Sequence, residues 1–417
     1  MNTRRRGTIA VLLGVGILVN YFDRVNLSIA HDALQAAFGI SDITFGYVLG
    51  AYSWTYALMQ LPSGSLLDRF GVRRVMLVSI VLWAIASGLA AVAPTILILF
   101  IARFLLGIGE APTFPACAKA IGLWFPAGER GVPTAMFDAA AKLAIGIGTP
   151  ILGLILLHFG MRANFAATAI LSGFYAILFA SLYCDPRSPE RAIRRNISTG
   201  PPSSLGISTL LRERKVIAAA IGSGAYNYSF YLLLTWLPFY LQKGLKMSGR
   251  QSVLWSAVPW IAAAIVGFGV GGMLTDILVR RGYDASIVRK SILIAGTSMG
   301  IFVLAPAFLH QPSVVLICLS LSLSGLAAAS PVLWTLPSLL VPSESTGRVG
   351  AIMNQSNQIA AIVAPIATGY LTTWTHSFVA AFLVAGVILV VGVASYVFLL
   401  GRIELVPSAQ LRDGLAA

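Results

Sequence analysis

Charge is what this sequence most lacks. Of its 417 residues only 11% are Asp, Glu, Lys or Arg, while 57% are hydrophobic; a soluble domain carries roughly 25% charged residues. So few charges exclude an ordinary water-solvated globule and place the chain in lipid. Cysteine is nearly missing: Cys117, Cys184 and Cys318 lie in or at the end of apolar stretches without paired spacing. That supports neither a disulfide framework nor a metal site, and the three read as packing residues. Histidine is as sparse. His31, His158, His310 and His376 lack ligand spacing and sit near the ends of apolar stretches, where they read as interfacial residues. No G-x-x-x-x-G-K-[ST] loop is present, which disfavours ATP-driven work, and no nucleophile is set beside a base, which disfavours an enzyme.

What the chain has in quantity is apolar runs. They occupy residues 8–30, 44–66, 75–94, 96–119, 132–157 and 164–184, then 216–241, 252–275, 291–309, 313–340, 349–374 and 378–400. A helix of about 20 apolar residues crosses a hydrocarbon core of about 30 Å. The expected fold class is therefore an all-α membrane protein of twelve transmembrane helices, with no room for a soluble domain in either group of six. The opening MNTRRR and its apolar run have the look of a signal peptide. That run continues past Asp23 and eleven more follow, so it reads as a retained helix.

The basic excess, +14, is a topology signal. With the amino terminus inside, the inner loops collect Arg4, Arg5, Arg6, Arg69, Arg73, Arg74, Arg130, Arg187, Arg280, Arg281 and others, and the outer loops only Arg162, Lys243, Lys246 and Arg250. This asymmetry puts both termini in the cytoplasm and makes nucleic acid an unneeded partner.

The chain also repeats. GSLLDRFGVRR begins at Gly64 after the second run, and GGMLTDILVRRG surrounds Gly272 after the eighth. Gly64, Leu66 and Asp68 match Gly272, Leu274 and Asp276 at a constant shift of 208 residues. Two six-helix halves follow: 1–184 and 216–401, joined by a cytoplasmic linker at 185–215 rich in Pro, Ser and Arg, with a cytoplasmic tail at 402–417. Gly64 is expected to let neighbouring helices approach closely. Asp68, Arg69, Arg73 and their counterpart Asp276 are expected to lock the cytoplasmic ends through breakable charge pairs; the alternative is that the arginines only fix topology.

These motifs, with RFLLGIGE at 103–110 and the duplicated plan, resemble the major facilitator superfamily of secondary transporters. NYFDRVNLSIA at 20–30, EAPTFPA at 110–116, TWLPFYL at 235–241 and APIATGY ending at Tyr370 resemble its anion:cation symporter branch. That branch includes carriers of galactonate, glucarate, hexuronates and phthalates, and the animal sialin and vesicular glutamate carriers. The resemblance implies two pseudo-symmetric six-helix lobes, a monomeric carrier in a bacterial inner membrane, and no cofactor beyond the proton gradient that drives it.

Six ionisable groups fall near the centres of the runs, all in the first half: Asp23, Arg24, Arg103, Glu110, Asp138 and Lys142. Each costs about 2.5 to 3.5 kcal/mol at the centre of a spanning helix, so each is a candidate for a polar cavity. Arg24 is the expected anion ligand, since a guanidinium holds a carboxylate through two parallel hydrogen bonds, and the resemblance assigns the matching arginine that role. The alternative is that Arg24 merely neutralises Asp23. Arg103 and Glu110 are seven residues apart on one helix face, about 10 Å along the axis, too far to pair. Arg103 is therefore expected to pair with Asp23 from another helix. Burial disfavours the charged form of Glu110, so Asp23 and Glu110 are the expected proton carriers with Arg103 linking them, as the resemblance also implies; a static ion network is the alternative.

Asp138 and Lys142 depart from the branch pattern, which there carries Asn, Gln and Tyr. At i and i+4 they are close enough to pair. If Lys142 faces the cavity it suits a dicarboxylate; if Asp138 neutralises it, the pair adds nothing net. Tyr21, Tyr226, Asn227, Ser330, Asn357 and Gln358 are further substrate-binding candidates, and Tyr56, Trp334 and Asn354 match family pocket positions. The expectation is a proton-coupled symporter importing a small organic anion, a sugar acid or another mono- or dicarboxylate, by rocking of two lobes in the bilayer. An antiporter or exporter of the same fold, to which GIGTPILG at 146–153 loosely points, and a non-transporting receptor are the alternatives.

Overall fold

The computed structural model describes residues 3–125, 131–185 and 206–406. Among them there is no strand. The helices are α1 (Thr3–Ser28), α2 (His31–Phe38), α3 (Asp42–Ala91), α4 (Ile96–Glu110), α5 (Thr113–Trp124), α6 (Gly131–Leu182), α7 (Ile207–Leu210), α8 (Arg214–Lys243) and α9 (Gly249–Val266), followed by α10 (Thr275–Arg280), α11 (Ala285–Gly300), α12 (Ala305–Phe308), α13 (Pro312–Leu340), α14 (Ser343–Thr375) and α15 (Val379–Ala394).

Two of these are too long to be single spans. α3 has 50 residues and α6 has 52, about 75 Å each if straight. Both turn back on themselves at a glycine, Gly71 and Gly160, each with φ of 82°, a left-handed value that a side chain resists. Each therefore holds two passages. α4 and α5 share one passage across Ala111 and Pro112. α9 runs through a π-helical stretch, Gly267–Leu274, into α10, and α11 through a tight turn, Ile301–Leu304, into α12. The described residues thus make the twelve passages expected.

Among the described residues, eight helices are by length and composition apolar enough to cross a membrane. α8 and α14 are not among them; they carry polar groups that lipid does not favour, Ser223, Tyr226 and Asn227 on the one and Asn354, Asn357 and Gln358 on the other. Of the proposed linker only Asp185 and residues 206–215 are described. Arg130, Arg187 and the tail from 407 also lie outside the described residues.

We call the face bearing Gly71, Asp185 and α7 the terminal side and the opposite one the far side. The halves meet tightly on the far side. Tyr47 and Tyr370 hydrogen-bond at 3.2 Å, Phe45 meets Trp236 edge-on at 5.4 Å, and Asp32 accepts from Gln242 at 2.7 Å. Backbones touch as well: a Cβ at Gly46 would lie 2.7 Å from the Pro365 carbonyl oxygen, and one at Gly369 2.5 Å from that of Asp42.

Gly64 follows Gly46, and Gly347 precedes Pro365, by the same interval of 18 residues, five turns along the same helix face. Neither would meet anything within 4 Å, and nor would Gly272. The close approach expected at Gly64 is therefore not made in this conformation: α3 and α14 touch at the far side and splay toward the terminal side. Gly46→Leu is expected to force the far side apart, since overpacking costs typically 1 to 3 kcal/mol. Maleimide labelling of a cysteine at Tyr370 from the far side should then rise about tenfold; unchanged labelling would mean that this contact does not hold the closure.

Candidate functional site

Arg24 sits at the middle of the molecule, one turn short of the end of α1, in a cage of phenol rings. Its guanidinium carbon lies 4.5 Å from the ring centre of Tyr21, 4.8 Å from that of Tyr52 and 5.2 Å from that of Tyr56. Cation–π attraction of this kind strengthens away from water, and Arg24 is only 6% exposed. The Nε donates to Oε2 of Glu110 at 3.2 Å and Nη1 to the Tyr231 hydroxyl at 3.4 Å. Nη2 is buried with no partner, and so is the other oxygen of Glu110. An unpaired buried donor on a charged group is costly; an incoming anion would satisfy it.

The acids are shared out differently from the sequence expectation. Arg103 does not pair with the Asp23 carboxylate. Its Nη1 donates to the Asp23 main-chain oxygen at 3.1 Å, while the guanidinium packs on Tyr52 at 5.5 Å. The Asp23 side chain points the other way, accepting from the hydroxyls of Ser87 at 2.5 Å and Ser172 at 3.1 Å. The reason is the one that separates neighbours on any helix: Asp23 and Arg24 leave α1 about 100° apart. One enters the packed interior of the first half, the other turns to the interface between halves. Arg103 and Glu110 form no pair with each other, as their spacing required.

A cavity adjoins this cage. Tyr21 and Tyr231, both touching Arg24, form one end; Asp138 and Lys142 lie on its wall; and Tyr226, Asn227, Ser330, Trp334 and Asn357 close it from the second half. Phe114, Ser223 and Met353, which the sequence did not single out, line it too, and Ser223 hydrogen-bonds the Asn357 amide at 2.5 Å. Lys142 Nζ is 2.7 Å from Asp138, with side-chain exposures of 4% and 25%. The pair that the sequence left open is therefore formed, with its acid the more exposed partner.

Three expected contacts are placed elsewhere. Tyr56 stacks on Arg24 from outside the lining, Asn354 is half-buried on α14, and Gln358 is buried with its Oε1 unpartnered.

The groups expected to lock the terminal side make their contacts within the first half, not between halves. Asp68 pairs with Lys119 at 2.5 Å. The Arg73 side chain donates to the Ala180 carbonyl at 2.9 Å and its main-chain N to Asp185 at 3.3 Å. Arg69 rests over Phe70 at 5.2 Å. Asp276 is exposed, on α10 just beyond the stretch that carries Gly272. GIGTPILG behaves as a helix contact: a Cβ at Gly148 would press on Phe22, at Gly146 on Ile261, and at Gly153 on Val253.

Sequence reasoning missed Ser87 and Ser172, because a serine on an apolar helix usually bonds its own backbone. It missed Tyr52, although that residue stands four before Tyr56 and so shares its helix face. It gave His31 only a place at a span end and not its partners: the residue is 3% exposed, wedged between Asp32 and Asp42.

Comparison with known proteins agrees with this architecture. The model of the Major Facilitator Superfamily matches residues 13–365. An uncharacterized transporter of Bacillus subtilis, YybO, is 36% identical over 96% of this chain and 95% of its own length. The probable L-galactonate transporter of Escherichia coli is 31% identical over 95% and 89%. The probable galactarate/D-glucarate transporter GudP of B. subtilis is 30% identical over 96% and 93%. Among solved structures, a bacterial homolog of the human lysosomal transporter Spinster, inward-facing and occupied, superposes with a TM-score of 0.77 at 14% identity, covering 99% of both chains; at that identity the likeness concerns the fold.

Proposed function

The chain belongs to the Major Facilitator Superfamily and is a multi-pass membrane protein, and from that premise we propose that it is a proton-coupled symporter importing a small organic anion by rocker-switch alternating access. The observation that carries this reading is the Arg24–Glu110 pair with its two unsatisfied atoms. Glu110 and a substrate carboxylate compete for one guanidinium. A proton on Glu110 weakens its hold on Arg24 and leaves the fork free for the anion; loss of that proton returns Glu110 to Arg24 and expels the anion. Asp23, held by two serines, is the second proton carrier. Arg103, touching both Tyr52 and the Asp23 backbone, ties its position to the cage.

The names of the relatives support a sugar acid or a similar carboxylate as cargo. The arginine-rich terminal side is assigned to the cytoplasm of a bacterial inner membrane, so the structure is the form closed to the outside, and a monomer suffices because every group used lies in one chain. Rocking would bring Gly64 and Gly347, now apart, into the contact that Gly46 and Pro365 make here. Gly64→Leu should then leave the present form intact and block the opposite one.

Lys142 offers a second cation if Asp138 yields it. We expect Lys142→Met to weaken diacids at least tenfold and to change monoacids less than about threefold, because a buried charged contact is worth about 2 to 5 kcal/mol. The deciding experiment is uptake by proteoliposomes of labelled galactonate, glucarate, glucuronate, tartrate and phthalate, with and without an inward proton gradient. Accumulation of one acid only with the gradient is the expected result. Exchange without the gradient would favour an antiporter, and binding without uptake a receptor.

A further inference from the structure

We propose that His31 is a second proton-binding site, remote from Glu110 and Asp23, whose occupancy is tied to closure of the far side. It stands where α1 gives way to α2, outside the spans, and every group around it belongs to the seam between halves. Its Nδ1 lies 3.0 Å from Asp32 Oδ1 and its Nε2 2.9 Å from Asp42 Oδ1. A neutral imidazole has one N–H and can satisfy only one of two carboxylates; the imidazolium satisfies both.

The ring is also stacked on Phe239 of α8, centre to centre at 3.6 Å, and meets Phe45 edge-on at 4.6 Å. Phe239 is a residue of the second half, so closing the seam buries the ring, which is 3% exposed. Asp32 extends the seam further, accepting from Gln242 at 2.7 Å with Lys243 Nζ 3.9 Å from its Oδ2. The charged and titratable groups facing His31 are thus Asp32 from α2, Asp42 from α3 and Lys243 from α8. His310 and His376 line the open hollow beside it, together with Asp42 and Lys243.

Burial pulls the imidazole down, but the hydrogen bonds with Asp32 and Asp42 outweigh it and hold His31 above the ordinary histidine value. Parting the halves removes Phe239 and readmits water but leaves Asp32 and Asp42, which belong to the same half as His31, so the ring rises further. Closure therefore releases a proton. The contribution of His31 to closure is fully present above the open-state value and is lost as pH falls through the closed-state one. A far side facing acid is thereby biased to open, by up to about tenfold in the closed-to-open ratio per pH unit within that window. The inference depends neither on the cargo nor on the direction of net flux.

The test is a distance measurement, not transport. Spin labels replace the exposed residues Gln35 and Arg250, one on each half at the far side, in a chain whose three cysteines are replaced and which carries Glu110→Gln to silence the central acid. Electron–electron distances are read from pH 5.5 to 8.5. The short-distance population should shrink as pH falls. His31→Gln should flatten that response, and Asp42→Asn, which removes one of the two carboxylates, should move its midpoint to lower pH. An unchanged pH response in His31→Gln, or none in the parent, overturns the proposal. Failure of the uptake experiment with these distances behaving as expected would count against the symporter reading and leave the latch standing.

Discussion

Arg24→Ala abolishes binding of the transported anion: we expect affinity to fall at least a hundredfold. The magnitude follows from where the guanidinium lies. It is 6% exposed, caged by three phenol rings and carries a buried Nη2 without a partner. Truncating one partner of such a buried charged contact costs about 2 to 5 kcal/mol, and each 1.4 kcal/mol is a factor of ten. Part of the loss would come from stranding Glu110, so Arg24→Ala should be compared with the double variant that also carries Glu110→Gln. Equilibrium binding on protein that elutes as the parent does separates recognition from misfolding. Arg24→Lys should rescue little, because an ammonium offers a point charge where a planar fork is required. Affinity within about threefold of the parent in Arg24→Ala would remove Arg24 from the substrate site.

Glu110→Gln should do the opposite: bind and exchange the anion, yet fail to concentrate it. Glutamine keeps the shape and the oxygen that meets Arg24 Nε, but it is permanently neutral. The competition for Arg24 no longer answers to protons. Counterflow, which needs only exchange of labelled for unlabelled anion, should stay within a few-fold of the parent. Accumulation against the anion gradient should drop to equilibration, where the parent with one proton per cycle reaches about tenfold per pH unit. Gradient-driven accumulation persisting in Glu110→Gln would move the coupling to Asp23, whose serine hydroxyls from two other helices give it a separate environment.

Much of this was legible in the chain. The length and polarity of each apolar run announce a span, because lipid forces every backbone group to be satisfied inside a helix and leaves no other regular choice for a single segment. The repeat at Gly64 and Gly272 gave away the two halves, and the cost of charge in lipid marked all six ionisable groups of the site. The i, i+4 spacing of Asp138 and Lys142 showed that the two could pair, because a helix alone sets that distance, and left open whether they do.

What could not be read were the contacts between helices. Spacing along one helix says nothing of the register and rotation of its neighbours, and these gave Glu110 to Arg24, turned Asp23 toward Ser87 and Ser172, and left Arg103 with a main-chain oxygen. The same holds for His31: two acids of its own half and, across the seam, the ring of Phe239 converge on it. By itself the sequence determined the spans, the duplication and the inventory of buried charge, since all three depend on local chemistry and solvent. Which acid holds which base, which side is shut and what the histidine touches were decided by tertiary packing, where contacts between distant segments are made.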